Sequence, residues 1–323
     1  MCGIVGYISK NANPESLHLG IEALKRLEYR GYDSAGFAFW DERKREIVSQ
    51  KAVGKITSLE QKIDPRNSFF ANPLILHTRW ATHGGVTEKN AHPHCDCKRN
   101  IWVVHNGIIE NFKILKARLE KEGHKFTSET DTEVIAHLIE KFFDGDLEEA
   151  VRKSLGYLEG TYGLAIICRD DPRKIVAARL SSPLLIGLGK DQYLVASDPS
   201  AVIAHTRKVV YLEDGEIASI SPEKFVIYKE KKPEDIEWSQ EQYEKAGYAH
   251  FMLKEIMEQP ETLEDAMRGR LIIEEGTARL GGLQSVEKKL RQVDKIYLVA
   301  CGTARHAALV GELLGERRRI GVE

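Results

Sequence analysis

Residues 1–8 read MCGIVGYI, and this stretch decides the fold and the chemistry that it supports. Residues 3–8 are a short apolar run, which predicts a buried strand. Cys2 directly precedes that strand, and its side chain is small enough for Met1 to be removed after synthesis. The freed α-amino group would have a pKa of about 7.7–8.0, so much of it is neutral near pH 7. A neutral amine beside its own thiol combines a general base and a nucleophile, whereas the alternative is a small apolar residue near a strand.

Length and composition restrict the class of protein. The 323 residues exceed one typical domain, and 42% of them are hydrophobic, enough for a sizeable core. The net charge of -2 gives no electrostatic basis for binding nucleic acid or a membrane surface. The sequence shows neither a secretory leader nor the roughly 20 apolar residues that cross a bilayer, so secretion is not expected. We expect a protein of the reducing cytoplasm, because the cysteines are odd in number and irregularly spaced, which disfavours a disulfide framework: Cys2, Cys95, Cys97, Cys168 and Cys301.

The spacing of apolar residues predicts an α+β fold in which two layered sheets are covered by helices. Thr130-Asp131-Thr132-Glu133 matches a capping box and predicts the start of a helix. Asp214-Gly215 predicts a hairpin turn between two strands. Further helices are predicted at 14–29, with Gly31 ending the helix, at 111–122 and at 147–158. Strands are predicted at 3–8, 35–40, 46–51, 73–78, 101–105, 161–168, 174–180, 184–188, 193–196, 208–213, 216–220 and 224–229.

The pattern changes after residue 229. The charged, proline-containing segment 229–237 predicts a connector. Helical spacing resumes over 239–258, and the helix is predicted to end before Pro260. An apolar strand at 295–300, the small residues of 301–304 and a further helix are typical of the first β–α step of a parallel sheet. A single step of this kind would leave apolar side chains exposed, namely Val299, Leu309, Leu313 and Leu314.

Seven segments carry a family resemblance: 1–6 (MCGIVG), 27–36 (LEYRGYDSAG), 77–84 (HTRWATHG), 105–111 (HNGIIEN), 128–133 (SETDTE), 248–262 and 300–303. Together they resemble the class II glutamine amidotransferases, which are N-terminal-nucleophile (Ntn) hydrolases, and within them the glutamine–fructose-6-phosphate aminotransferase family. The resemblance implies a four-layer αββα sandwich at 2–228, a linker at 229–247 and a truncated α/β sugar-isomerase (SIS) domain at 248–323.

The resemblance assigns the principal roles in the site. Cys2 is the implied nucleophile that attacks the side-chain amide of glutamine. Asn106 and Gly107 are the implied donors to the tetrahedral oxyanion, although Asn-Gly after an apolar strand is also an ordinary turn. Arg79 matches a carboxylate-binding arginine, whose guanidinium can donate two parallel hydrogen bonds. Asp131 matches the residue that binds the α-ammonium group, although a carboxylate is also favoured in the first turn of a helix.

Further residues are assigned to the rim and the support of the site. Thr82 and His83 are expected to line the glutamine pocket. Trp80 resembles a tryptophan that gates the passage toward the sugar site, and the alternative is a packed loop aromatic. Arg30 is expected to orient the N-terminal region or, more simply, to bind carbonyls at a helix end.

Two motifs concern other ligands. Thr303 is a candidate for binding the sugar phosphate or, alternatively, a helix N-cap. The family often has serine where this chain has Ala304, so one hydroxyl is missing. Segment 91–97 (AHPHCDC) contains two histidines and two cysteines, but structural zinc sites usually pair ligands from two separated halves. We therefore expect this loop to lie near the active site without a metal, and we expect neither a metal nor an organic cofactor.

The implied reaction converts L-glutamine to L-glutamate and ammonia through a Cys2 thioester. In the complete enzyme the ammonia would pass to fructose 6-phosphate in amino-sugar biosynthesis, and the full-length enzyme would be a homodimer. Only glutaminase activity is expected from this chain. One alternative is another class II enzyme, such as the phosphoribosylpyrophosphate or asparagine-forming amidotransferases. The segment after residue 240 discriminates between them, because those enzymes would have a different domain there. The other is a non-enzymatic role in partner binding or regulation.

Overall fold

The computed structural model describes most of the chain and divides it into two compact units, Met1–Glu244 and Lys245–Glu323. The described residues are 2–11, 13–64, 69–227, 233–236, 247–267, 270–272, 276–278, 286–290, 292–300, 302–317 and 321–322. In this part of the chain no helix combines the length and the apolar character required to cross a bilayer.

The first unit is built from strands and helices that occur in groups along the chain. Its strands are β1 (Gly3–Ser9), β2 (Ser34–Asp41), β3 (Glu46–Val53), β4 (Ala71–Arg79), β5 (His94–Cys95), β6 (Ile101–Ile109), β7 (Gly160–Cys168), β8 (Ile175–Leu180), β9 (Leu185–Gly189), β10 (Gln192–Ala196), β11 (Lys208–Tyr211), β12 (Ile217–Ile220), β13 (Phe225–Ile227) and β14 (Glu234–Asp235). Its α-helices are α1 (Ser16–Lys25), α2 (Ile56–Glu60), α3 (Phe112–Lys121), α4 (Glu133–Phe142) and α5 (Leu147–Leu155), and its 3-10 turns are Glu28–Arg30, Glu88–Asn90 and Pro199–Ala201.

Two antiparallel sheets form the centre of this unit. The first has the strand order β14-β11-β9-β10-β1-β4-β2-β3, and the second has the order β13-β12-β8-β7-β6-β5. Strand β1 lies inside the first sheet, with β10 on one side and β4 on the other. The residue before β1, Cys2, is therefore placed at one end of a central strand.

Alternate side chains of β1 point to opposite faces of the first sheet and pack in two different cores. Ile4 and Ile8 are fully buried in the core between the sheets, where they join Ile175 of the second sheet. Val5 and Tyr7 point to the other face and belong to a core that includes Leu24 of α1. A third core joins the second sheet to α3, α4 and α5. The predicted α+β fold and the four layers, helix–sheet–sheet–helix, are confirmed.

Two local predictions for this unit were wrong, and a third was correct in position but not in its capping contact. Helix α1 ends at Lys25 and a 3-10 turn follows, so Gly31 ends that turn. Asp214-Gly215 does not close a hairpin, because β11 pairs in the first sheet and β12 in the second, so the turn passes between layers. The helix start predicted at 130–133 is confirmed, because α4 begins at Glu133, but the contacts of a capping box are not formed. The Glu133 side chain instead accepts the N–H groups of residues 127 and 128 at 2.8 and 2.7 Å, which secures the loop before α4.

The second unit contains short strands and two longer helices. Its elements are α6 (Phe251–Met267), β15 (Leu271–Ile272), β16 (Thr277–Ala278), α7 (Glu287–Leu290), β17 (Lys295–Ile296), α8 (Gly302–Arg317) and β18 (Gly321–Val322). Strands β17 and β18 are parallel and α8 connects them, which agrees with the predicted β–α step. The four apolar side chains predicted to be exposed in this region are exposed, Val299 by 95%.

Two predictions for this unit differ from the structure. Helix α6 continues through Pro260, because a proline inside a helix removes one hydrogen bond without necessarily ending the helix. Much of the predicted start of that helix, residues 239–246, lies outside the described residues. The predicted strand at 295–300 is paired only over Lys295–Ile296, where β18 provides a partner.

Candidate active site

The pairing of β1 with β4 determines where Cys2 lies. Gly3 is opposite Thr78, so Cys2 lies beside the end of β4. The Trp80 N–H donates a hydrogen bond to the Cys2 Sγ at 3.2 Å. Burial raises the pKa of the Cys2 thiol, and the Trp80 hydrogen bond and the Arg79 charge only partly oppose this effect. A thiol with a raised pKa is mostly protonated near pH 7, so its attack on a substrate requires a general base.

Asn106 of β6 contacts Cys2 through its side-chain amide, and hydrogen bonds at both ends fix the orientation of that amide. Its Nδ2 donates to the Cys2 carbonyl oxygen at 3.1 Å. Its Oδ1 lies 3.0 Å from the Nε2 of His77, and that nitrogen is also 3.0 Å from the His105 carbonyl oxygen. Both oxygens are acceptors, so Nε2 must carry the proton. Burial lowers the pKa of His77 to about 3, and the neutral ring therefore holds the donating end of Asn106 toward Cys2.

His77 is a positioning residue that sequence reasoning did not identify. It lies in the segment 77–84 that carried part of the resemblance, but that segment gave it no role. Its ring stacks on His92 with 4.1 Å between centroids. The signal that could have identified it is its place on β4, two residues before Arg79, since alternate residues share one face of a strand.

Gly107 adopts a backbone conformation that other residues do not tolerate. Its φ is +129°, and a Cβ at this position would lie 2.1 Å from the carbonyl oxygen of Thr161 on β7. Gly107 is opposite Tyr162 in the β6–β7 ladder. The glycine therefore lets two strands approach closely at the cleft.

Replacing Gly107 with alanine is expected to destabilise the protein through both strain and a backbone clash. Gly145→Ala is the matched control, because Gly145 has a φ of +112° and no atom within 4 Å of the added Cβ. Strain alone should cost about 1–3 kcal/mol in the control, and the clash should add at least about 2 kcal/mol for Gly107→Ala. Urea unfolding measures both values. Equal losses in the two variants would show that the close approach to Thr161 is unimportant.

Asp131 precedes α4 instead of lying in its first turn, so the interpretation as a first-turn acid was wrong. Its Oδ2 accepts the Ile109 N–H at 2.8 Å, which connects the loop before α4 to the end of β6. Its Oδ1 lies 3.9 Å from the Nδ1 of His83. The His83 ring packs edge-on against Phe112 with 5.1 Å between centroids. The Asp131 side chain is 6% exposed, and its orientation is fixed by Ile109 at one oxygen and His83 at the other.

Arg79, the last residue of β4, shapes the loop that follows it. Its guanidinium donates to the carbonyl oxygens of His83, Gly84 and Gly85, the last two at 3.3 Å. Burial lowers the pKa of Arg79, and the nearby Cys2 and Asp131 oppose this effect. A guanidinium remains charged in proteins, so Arg79 supplies a positive charge beside the thiol.

Trp80 and Thr82 lie at the rim. Trp80 is 45% exposed, and its ring packs edge-on against Tyr32 with 5.4 Å between centroids. Thr82 is exposed and lines the cleft. The cleft has an empty volume of about 250 Å³ and is lined by Cys2, Arg79, Trp80, Thr82, His92, His105, Gly107, Thr130, Asp131 and Thr132.

Arg30 lies in the 3-10 turn after α1, and its Nη1 donates to the Asp198 carboxylate at 2.9 Å. The neighbouring Ser197 accepts the Ile4 N–H through its Oγ at 3.0 Å. These contacts connect Arg30 to the loop that holds β1 two residues from Cys2. Orientation of the N-terminal region by Arg30 stays a prediction.

Three further histidines form a buried network behind the cleft. The His105 N–H donates to His92 Nδ1 at 3.3 Å, and Thr132 Oγ1 lies 3.3 Å from His92 Nε2 and 2.9 Å from His105 Nδ1. His94 Nε2 lies 3.1 Å from Thr130 Oγ1. Burial lowers the pKa of all three rings. His92 and His94, the histidines of segment 91–97, are therefore neutral rings. His92 lines the cleft, which agrees with the expected position of this segment near the site.

Thr303 is the second residue of α8, in the second unit, and its side chain is exposed. It is not among the residues that line the cleft, which belong to the first unit. Binding of a sugar phosphate at Thr303 stays a prediction.

Comparisons with known proteins agree with this geometry. A family model described as a glutamine amidotransferase domain matches residues 77–204. The chain is 44% identical over 336 residues to glutamine–fructose-6-phosphate aminotransferase (isomerizing) of Chlorobaculum tepidum, covering 100% of this chain and 54% of that protein. The protein of the same name from Pyrococcus horikoshii is 47% identical over 326 residues, with 98% and 52% covered. A solved glutamine phosphoribosylpyrophosphate amidotransferase from B. subtilis has a TM-score of 0.59 at 27% identity, covering 74% of this chain and 50% of that one.

A cysteine at the start of a central strand, in a sandwich of two sheets between helices, together with the matched domain, defines a class II glutamine amidotransferase. The chain spans about half the length of the curated relatives that it matches. Within that class, the relatives that match at least 98% of this chain are glutamine–fructose-6-phosphate aminotransferases (isomerizing).

Proposed function

We propose that the chain hydrolyses the side-chain amide of L-glutamine to L-glutamate and ammonia, with Cys2 as the nucleophile. The observation that carries this proposal is the convergence of the Cys2 thiol, the Arg79 guanidinium and the Asp131 carboxylate on one cleft. Asn106 and Gly107 lie at the same place, on the strand that faces Cys2. A thiol, a cation, an anion and amide donors match the groups of free glutamine and of its tetrahedral intermediate.

The proposed mechanism uses these groups in sequence. Arg79 binds the α-carboxylate of glutamine and Asp131 binds its α-ammonium group. After removal of Met1, the α-amine of Cys2 takes the thiol proton as the sulfur attacks the amide carbon. Asn106 and Gly107 stabilise the oxyanion, and the amine returns the proton to the leaving nitrogen, so ammonia departs and a glutamyl thioester remains. A water molecule, deprotonated by the same amine, then releases glutamate. Chemistry of this kind requires no metal and no organic cofactor.

A comparison of substrates tests the proposed role of Arg79. L-Glutamine α-amide lacks the carboxylate that Arg79 would bind, so the wild-type protein should hydrolyse it with a kcat/KM about 10- to 150-fold lower than that for glutamine. In Arg79→Met, the kcat/KM for glutamine should fall to a similar level, mainly through a higher KM. The discrimination between the two substrates should then disappear. Coupled measurement of ammonia gives all four rate constants.

Arg30→Met is the control for this experiment, because it removes an arginine that bonds Asp198 outside the cleft. It should retain the preference for glutamine. Preserved discrimination in Arg79→Met would overturn the role of Arg79 while leaving the role of Cys2 intact.

We further propose that the ammonia serves fructose 6-phosphate in a complete glutamine–fructose-6-phosphate aminotransferase, giving glucosamine 6-phosphate. The names of the relatives that match 100% and 98% of this chain support this proposal. Trp80, exposed at the rim, would gate the passage of ammonia, and Thr303 would contribute to the sugar-phosphate site. Linker 229–247 would join the glutaminase domain to the sugar-isomerase domain, and a homodimer would be the assembled form. The described cysteines are free thiols, which supports action in the cytoplasm: Cys2, Cys95, Cys97 and Cys168.

A second candidate is ammonia transfer to phosphoribosylpyrophosphate, which the name of the B. subtilis structural neighbour suggests. That likeness covers 74% of this chain, whereas the aminotransferase of C. tepidum matches 100% of it. The relatives therefore favour the sugar acceptor. In a complete enzyme with this chain as its N-terminal part, glutamine-dependent formation of glucosamine 6-phosphate would support the first candidate, and formation of phosphoribosylamine would replace it.

A further inference from the structure

Four potential metal ligands meet on the first unit, and none of them is among the residues that line the cleft. Cys97 follows β5, His124 follows α3, and His137 and Glu140 lie one turn apart on α4. One ligand atom from each side chain lies within 4.8 Å of the other three. His137 and Glu140 are 1% and 10% exposed, His124 is 14% exposed, and the Cys97 residue is exposed, so the cluster can be reached from solvent.

We propose that Cys97, His124, His137 and Glu140 form a structural site for a divalent transition metal, with Zn²⁺ as the expected ion. A thiolate, two imidazoles and a carboxylate are the donor types that zinc takes. Ligand identity favours zinc over magnesium or calcium, which take oxygen donors. All four positions are filled by protein side chains, so the role is structural and not catalytic.

The distances between the donor atoms fit a tetrahedral ion. With zinc–sulfur bonds of about 2.3 Å and zinc–nitrogen or zinc–oxygen bonds of about 2.0 Å, ligand atoms are separated by roughly 3.3–3.6 Å. Cys97 Sγ lies 3.5 Å from His137 Nδ1 and 3.9 Å from His124 Nδ1. Glu140 Oε2 lies 3.3 Å from His137 Nδ1 and 2.9 Å from His124 Nδ1. Shifts of a few tenths of an ångström would complete the tetrahedron.

The surroundings of the ligands also match those of a metal site. The Lys125 N–H donates to Cys97 Sγ at 3.3 Å, and the Cys97 N–H donates to Glu140 Oε2 at 3.3 Å. The Nε2 of His137 faces Glu133 Oε1 at 3.8 Å. A histidine that binds a metal through one nitrogen commonly directs its other N–H to a carboxylate, which fixes its tautomer.

The two ring nitrogens of His137 have surroundings that suit a metal bound through Nδ1. If a neutral His137 donated its Nδ1 proton to Glu140, its Nε2 would be a bare acceptor facing the Glu133 carboxylate. Within the described residues, this buried Nε2 has no hydrogen-bond partner. A metal bound to Nδ1 places the proton on Nε2, where the Glu133 carboxylate attracts it. Coordination of a metal through Nδ1 is thus compatible with the surroundings of both ring nitrogens.

The site would stabilise the helix that supports the cleft. His137 and Glu140 lie on α4, and Asp131 and Thr132, which line the cleft, directly precede that helix. A metal would connect α4 to the loops that carry Cys97 and His124. The histidine and cysteine segment of the sequence contributes only Cys97 to this site, and the other ligands follow 27 to 43 positions later.

Metal content and a cobalt spectrum test the proposal on a tag-free protein produced in zinc-supplemented medium. We expect about one zinc per chain by elemental analysis. After zinc removal, Co²⁺ should give the thiolate charge-transfer band and the intense d–d bands of a tetrahedral site. In Cys97→Ser, which keeps the side-chain shape, metal affinity should fall at least about 100-fold and the charge-transfer band should be lost.

Cys95→Ser is the matched control, since Cys95 lies two residues away and outside the cluster. It should keep the metal and the spectrum. Zinc removal should lower the Tm of the wild-type protein by at least about 5 °C and leave the Tm of Cys97→Ser unchanged. Wild-type protein that contains less than about a tenth of an equivalent of zinc, and that shows no tetrahedral cobalt spectrum, would overturn the proposal in favour of a hydrogen-bonded cluster.

Discussion

Glutamate release is expected to fall to the uncatalysed background when Cys2 is replaced by alanine. The proposed mechanism has one nucleophile, and the cleft provides no second thiol within its lining residues. We expect a loss of roughly 10⁴-fold or more in kcat, in line with the removal of the nucleophile from other hydrolases. The measurement is the rate of glutamate formation from L-glutamine, with Tm recorded for both proteins. The smaller side chain keeps the backbone contacts of β1, so the fold should persist.

Cys95→Ser serves as the control for the Cys2 variant. Burial raises the pKa of Cys95 to about 11, which makes its thiolate rare near pH 7. This variant should therefore turn over glutamine at the wild-type rate. Activity in Cys2→Ala within tenfold of the wild-type value would contradict the assignment of the nucleophile.

Replacing Asn106 with alanine should lower kcat by about 10²–10³-fold and leave KM almost unchanged. Asn106 is proposed to donate to the oxyanion, an interaction that strengthens only as the tetrahedral intermediate forms. Because the amide also bonds the Cys2 carbonyl at 3.1 Å, a structural loss must be separated from a chemical one. Kinetics of single variants at saturating and limiting glutamine give the two constants.

Asn106→Asp separates the structural and chemical roles of this residue. The carboxylate keeps an acceptor for the His77 Nε2–H but cannot donate, so kcat should fall at least as far as in Asn106→Ala. Asn111→Ala is the matched control, since the Asn111 amide bonds Tyr157 and Glu159 outside the cleft. A rise in KM without a change in kcat for both Asn106 variants would exclude the oxyanion role.

Most elements of the first unit followed from local patterns, whereas α2, β5, β14 and the arrangement of the elements did not. A short apolar run identified β1, and its ends were correct to within one residue. The neighbours of β1 are set by pairs such as Gly3 with Thr78 and Val5 with Ala196, which are far apart in the chain. No short motif determines such pairing, because it depends on packing between whole sheets. The Asp214-Gly215 turn is an example, since the same dipeptide can close a hairpin or connect two layers.

The principal residues of the candidate site were predicted because a resemblance supplied them together. The structure places Cys2, Arg79 and Asp131 at one cleft and adds the contacts that direct them. It also shows what the sequence could not, namely the tautomer of His77 that orients Asn106. The tautomer follows from the two acceptor oxygens around Nε2 of His77. One of these oxygens is the backbone carbonyl of His105, whose position depends on the fold. The Cys97 cluster was missed for a related reason, because its ligands meet only after α4 has packed.

The most direct test of the central claim is to map the residue that a glutamine-like chloroketone or diazoketone alkylates. We expect one adduct per chain, on a Cys2 that has lost Met1, and excess L-glutamine should protect it. Peptide mass spectrometry reads both the adduct and the processing of the N-terminus. Alkylation at Cys95 or Cys97 in place of Cys2, or full glutaminase activity in a chain that retains Met1, would show that the N-terminal cysteine is not the nucleophile.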